Sequence, residues 1–108
     1  MLRINGGIGF QLSFENGITV SVQFGYGHYC ANRDNYNFRR PQERCESPNA
    51  EVAVFETTSG LWRTREVWKQ LGWGELNDDV QGYVEADLVA RLIAACQALP
   101  KVEEVSDV

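Results

Sequence analysis

Two runs of alternating apolar residues, IGFQLSF at 8–14 and ITVSVQF at 18–24, stand three residues apart and restrict each other's pairing. Ile8, Phe10, Leu12 and Phe14 share one face of the first run, and Ile18, Val20, Val22 and Phe24 share one face of the second. A two-residue Asn-Gly turn would set Phe14 opposite Thr19 and mix apolar with polar positions. A three-residue loop of Glu15, Asn16 and Gly17 instead sets Phe14 opposite Ile18, Leu12 opposite Val20 and Phe10 opposite Val22. A one-residue slip turns every side chain to the other face, so the buried face selects the register. The pattern therefore predicts a hairpin closed by a type I turn, with Gly17 in the left-handed region forming a bulge.

Further along, AEVAVFE at 50–56 is apolar on both sides, through Val52 and Val54 on one and Ala53 and Phe55 on the other. That is the pattern of a central strand covered on both faces. LWRTREVW at 61–68 is either a strand or the start of a helix, the alternation that follows Trp62 favouring the strand, and VQGYV at 80–84 reads as an edge strand. EADLVARLIAACQALP, at 85–100, is helical: Leu88, Leu92, Cys96 and Leu99 recur at spacings of four, four and three, and Val89 and Ile93 widen the stripe. Glu85 and Asp87 suit the positive end of the helix dipole, and Pro100 stops the helix. The expected fold is α+β, a mostly antiparallel sheet of four to five strands with one C-terminal helix on one face. One domain over 1–100 and a flexible acidic tail over 101–108 complete the expectation.

The 108 residues suit one domain, and 44% hydrophobic with 23% charged residues is ordinary for a globular chain. A formal charge of −5 argues against broad binding to a phosphate backbone, which needs massed Lys and Arg. No apolar run approaches the ~20 residues that cross a bilayer. The first fourteen residues lack the apolar core and small-residue cleavage site of a signal peptide, so none is expected. An odd cysteine count, Cys30, Cys45 and Cys96, points to reduced thiols and a cytoplasmic setting.

Between Gly25 and Asn49 the periodicity disappears. Gly25 and Gly27 break the strand, and Pro41 and Pro48 with Asn32, Asn35, Asn37 and Asn49 favour turns. Aperiodic connections beyond ~12–15 residues are commonly functional or disordered. Within this one, Arg33, Arg39, Arg40 and Arg44 face Asp34 and Glu43, a local +2 in a chain of −5, leaving −7 elsewhere. Arginines interleaved with Tyr36 and Phe38 suit forked bonds to carboxylate or phosphate and stacking on rings. A solvated loop whose arginines pair with surplus carboxylates is the competing reading.

His28, Cys30 and Cys45 raise a metal or a thiol nucleophile. The spacing is not the two close pairs of a structural zinc site, and a fourth ligand is missing. A His28–Cys30 pair would also need an orienting group and an oxyanion hole, for which there is no signature. GYGHYC, at 25–30, leads into no predicted helix, so it is not a phosphate loop. No catalytic residue, metal or cofactor is expected. Trp62, Trp68 and Trp73 suit either core or interface, and Trp73 between Gly72 and Gly74 is the one expected at the surface.

SVQFGYGHYCANRD, AEVAVFETTSGLW and VQGYVEADLVARLI, about half of the chain, resemble a group of small accessory proteins of tailed bacteriophages. The resemblance carries no catalytic residues across. It implies a non-enzymatic protein that binds and inhibits or sequesters a bacterial host or defence component, in the cytoplasm of the bacterial host. The expected contact surface is the 25–44 loop, through Tyr26, His28, Tyr29, Arg33, Tyr36, Phe38, Arg39 and Arg40, with Trp73 as an outlying candidate. A nucleic-acid or nucleotide-binding module using the same loop is the alternative. No membrane partner is expected, and an exposed edge strand leaves homodimerisation open.

Overall fold

The computed structural model describes residues 1–6, 8–40 and 44–103. Pro41 and Glu43 of the arginine-rich stretch, and the part of the expected tail at 104–108, lie outside the described residues. Five antiparallel strands run in chain order across one sheet: β1 (Leu2–Ile4), β2 (Gly9–Ser13), β3 (Ile18–Gln23), β4 (Asn49–Glu56) and β5 (Val80–Glu85). Two helices, α1 (Thr64–Gln70) and α2 (Ala86–Gln97), complete an α+β fold with α2 packed on the sheet.

The hairpin has the register that its alternation requires. Phe10 lies opposite Val22 and Leu12 opposite Val20, while the Phe14 amide donates to the Ile18 carbonyl at 2.9 Å. Gly17 sits at φ +87°, in the left-handed region. On this face Val20, Val52 and Val54 are fully buried beneath Leu92 and Cys96 of α2, the helix stripe read from the sequence. On the other face of β4, Ala53 is buried and Phe55 lies edge-on beneath Trp62, with ring centroids 5.8 Å apart.

The structure departs from expectation at 61–68. Only Trp62 bridges to the sheet, opposite Phe55, and the chain then turns helical at Thr64. Thr64, Val67, Trp68 and Leu71 fall at helical spacing, and the first three are buried. Thr64 docks the helix: its hydroxyl accepts from the Val54 amide at 2.8 Å and donates to the Val54 carbonyl at 3.1 Å. Arg63 straddles Glu56 and Glu66 with its guanidinium. The fifth strand is instead β1, too short to show a period, which pairs Leu2 with Leu12 and Ile4 with Phe10.

Helix α1 ends in paired bonds that also decide where Trp73 goes. The Trp73 amide donates to the Trp68 carbonyl at 3.2 Å and the Gly72 amide to the Lys69 carbonyl at 3.0 Å, with Gly72 at φ +75°. This is the Schellman arrangement, whose apolar contact is here the Trp68–Trp73 pair at 4.8 Å. Trp73 is therefore half-buried, and the tryptophan at the surface is Trp62. Gly72→Ala forces a side chain into the left-handed region and is expected to lower stability by about 1–2 kcal/mol. A shifted urea midpoint at unchanged slope would show it.

Because α2 lies over β3, β4 and β5, the sheet runs out beyond its cover. Leu2 and Ile4 share the helix-side face with Leu12 and Phe10, yet are 83% and 76% exposed. The outer edge of β5 is met by Tyr29, whose carbonyl accepts from the Tyr83 amide at 2.8 Å. The outer edge of β1 has no backbone partner among the described residues.

Candidate functional site

The excursion between β3 and β4 is held by polar groups that reach across it. Asn32 is buried, and its amide donates to the Phe24 carbonyl at 2.8 Å and to the Glu46 carbonyl at 3.0 Å, joining the two arms of the loop. Asn49 Oδ1 accepts from the Ala31 amide at 2.7 Å, and Glu51 Oε2 from the Tyr29 amide at 2.8 Å. The other Glu51 oxygen stands 3.3 Å from His28 Nδ1. Each anchor satisfies a backbone group that an aperiodic segment would otherwise leave unpaired. The loop then folds back in a 3-10 turn over Tyr36–Arg39, capped by Asn35 Oδ1, and the Tyr26 amide donates to the Phe38 carbonyl at 3.1 Å.

These bonds leave the rings outside. Tyr26, Tyr29 and Tyr36 are 44%, 50% and 60% exposed. Tyr26 and Tyr36 meet edge to face at 5.4 Å. The Arg39 guanidinium lies 3.8 Å from the centroid of the Tyr36 ring and that of Arg33 5.1 Å from the centroid of Tyr29. Stacking orders a guanidinium without using its N–H edge. Arg39 gives one of those N–H groups to the Tyr36 carbonyl at 3.1 Å.

Of the residues singled out from sequence, the structure brings together Tyr26, Tyr36, Phe38 and Arg39 in one group and Tyr29 with Arg33 in a second on the same loop. His28 is turned to Glu51, and Arg40 is exposed on the same loop. Trp73 belongs to the cap of α1 and stands apart from them. One residue was missed. β5 carries an extra residue against β4, where the register shifts between Ala50 and Val52. Tyr83 in this bulge is at φ +55° and 53% exposed, next to Tyr29 through its amide. Strained backbone of this kind collects at functional sites. The legible signal was Gly82 inside a strand: a Cβ there would come within 2.5 Å of the Tyr29 Cβ.

The thiol constellation does not assemble. The Cys30 Sγ turns to the Gly25 carbonyl at 3.6 Å while the His28 ring faces Glu51. Burial pushes the Cys30 and Cys45 thiols up, and that of Cys96 to about 12, so all three stay protonated at neutral pH. Among the described residues no cluster of three His, Cys, Asp or Glu side chains is placed to hold a metal ion. Nor is any helix among them long and apolar enough to cross a membrane.

No protein-family model matches the chain, and neither a curated protein nor a solved structure does.

Proposed function

We propose that this chain is a non-enzymatic binding protein that applies its 25–44 loop to an acidic surface of a bacterial host or defence protein, inhibiting or sequestering it. The phage-like motifs of the sequence suggest the setting. The observation that carries the reading is the state of Tyr26, Tyr29 and Tyr36. They are large, rigid and half-exposed on a loop whose backbone is pinned by buried Asn32. Ordering such rings in advance removes entropy that binding would otherwise lose, and Tyr and Arg anchors dominate interface energetics. The local +2 on a body of −7 selects an acidic partner surface.

The test is capture from bacterial lysate on the immobilised full chain. Arg33→Ala with Arg39→Ala is expected to keep the fold and weaken capture about 30-fold or more, as two stacked anchors are lost. Undiminished capture by the double variant would remove the loop from the contact.

A second reading keeps the same loop for a nucleotide or single-stranded nucleic acid. It is favoured by an open polar recess lined by Asn35, Asn37, Phe38, Arg39, Arg40 and Arg44. Rings and arginines so mixed stack on bases and grip phosphates. Oligonucleotide binding that falls steeply with salt would support it, and no binding at low salt would end it.

A further inference from the structure

On the opposite side of segment 45–49 from the loop, the sheet and α2 enclose an apolar groove of about 370 Å³. Val22 and Val84 form its floor with Phe10, and Val89, Ala90 and Ile93 of α2 form a wall. Two features of the chain leave it open. Helix α2 covers β3–β5, so Phe10 on β2 stands beyond the helix, and small residues, Ala86 and Ala90, face the gap from the helix. The volume lies at the lower end of small-ligand sites, which run ~300–1,000 Å³.

The rim is nearly silent. The Ser47 hydroxyl donates to the Asn49 carbonyl at 2.6 Å, and Asn49 Oδ1 is engaged by the Ala31 amide. Burial keeps the Cys45 thiol neutral. Glu46 is the one ionised lining group, and among the described residues its carboxylate makes no hydrogen bond or ion pair. An apolar trough with a single unpaired anion at its lip is complementary to one kind of small molecule.

We propose that this groove binds a small molecule with an apolar body and a single cationic head, the body lying between Phe10 and α2 and the head at Glu46. The site is separate from the tyrosine–arginine surface and does not depend on the function assigned to it.

Methyl NMR of the full chain titrated with hexylammonium, hexan-1-ol and hexanoate tests the proposal. Shifts are expected at Val22, Val84, Val89 and Ile93, with the ammonium bound about two- to five-fold tighter than the alcohol, the range for an exposed charge pair. Glu46→Gln should erase that preference. Ala90→Trp, at an exposed helix position, should fill the groove and abolish binding, while Ala94→Trp, exposed and outside the lining, should not. If Ala90→Trp does not fold, the head-group series with Glu46→Gln still decides. Absence of these shifts, equal binding of hexanoate, or full binding by a folded Ala90→Trp protein would overturn the assignment. So would concentration-dependent shifts at the same methyls without ligand, which would give the groove to a second copy of the chain.

Discussion

Asn16→Asp is expected to destabilise the protein by about 3 kcal/mol or more at pH 7, although it changes one atom of a turn residue. The Asn16 amide donates to the Cys96 carbonyl at 2.8 Å, to that of Leu99 at 3.0 Å and to that of Gln97 at 3.3 Å. It is thus the C-terminal cap of α2, which has no basic residue in its last turn. Aspartate can only accept, so the Leu99 and Gln97 carbonyls lose this donor and the Cys96 carbonyl keeps only backbone donors, the Leu99 amide at 3.3 Å among them. A carbonyl left unpaired away from water costs about 1–3 kcal/mol. Its charge also sits at the negative end of the helix dipole. The Oδ1 bond from the Ile18 amide, 3.0 Å, is the one that survives.

The pH dependence separates these two contributions. A carboxyl facing carbonyls has its folded pKa raised above the unfolded value of about 3.9. The acid form can donate, so the deficit is smallest below that pH and grows as pH rises through the raised folded value. Asn16→Ala should instead show a smaller deficit, about 2 kcal/mol, that does not vary with pH. Urea titrations of both variants between pH 3 and 8 measure this. Equal and parallel deficits would show that the charge contributes nothing.

Asn32→Ala is expected to act on the other end of the molecule, by about 2–3 kcal/mol. Removing the amide leaves the carbonyls of Phe24 and Glu46 without their donor in a buried site. Phe24 follows β3 and Glu46 precedes β4, so the lost bonds are the ones that close the loop. The sheet and α2 do not depend on them. Hydrogen exchange should therefore speed up at Tyr29, Ala31 and Arg33 while the β3 and β4 amides stay protected. If the proposed loop contact holds, the same variant should weaken capture of the proposed partner with the tyrosines and arginines all present. Unchanged capture together with a loosened loop would show that binding does not need a pre-ordered surface.

The loop's contents were legible and its order was not. Arginines and aromatics between Gly25 and Arg44 announce a surface by composition. Nothing local says that Asn32 would be buried or that Glu51, on β4, would reach back to the Tyr29 amide. For Tyr83 only Gly82 inside a strand gave a signal, and that marked a bulge or close approach without naming Tyr29, which lies over fifty positions away. Trp73 shows the converse error, since flanking glycines suggested exposure while Gly72 in fact turned the ring back onto Trp68.

What the chain determined unaided is whatever rests on neighbours in sequence: the hairpin register from alternation and the α2 stripe from its three-four spacing, whereas the helix ends at Gln97, short of Pro100. Such periodicities follow from backbone geometry and need no partner. Tertiary structure decided between strand and helix at 64–70, because Val54 offers Thr64 a donor and an acceptor. It alone made Asn16, chosen for a turn, the cap of a helix 80 positions away. Unpaired carbonyls and unburied rings are completed by whatever the fold brings near, and that proximity is not written in any short stretch of residues.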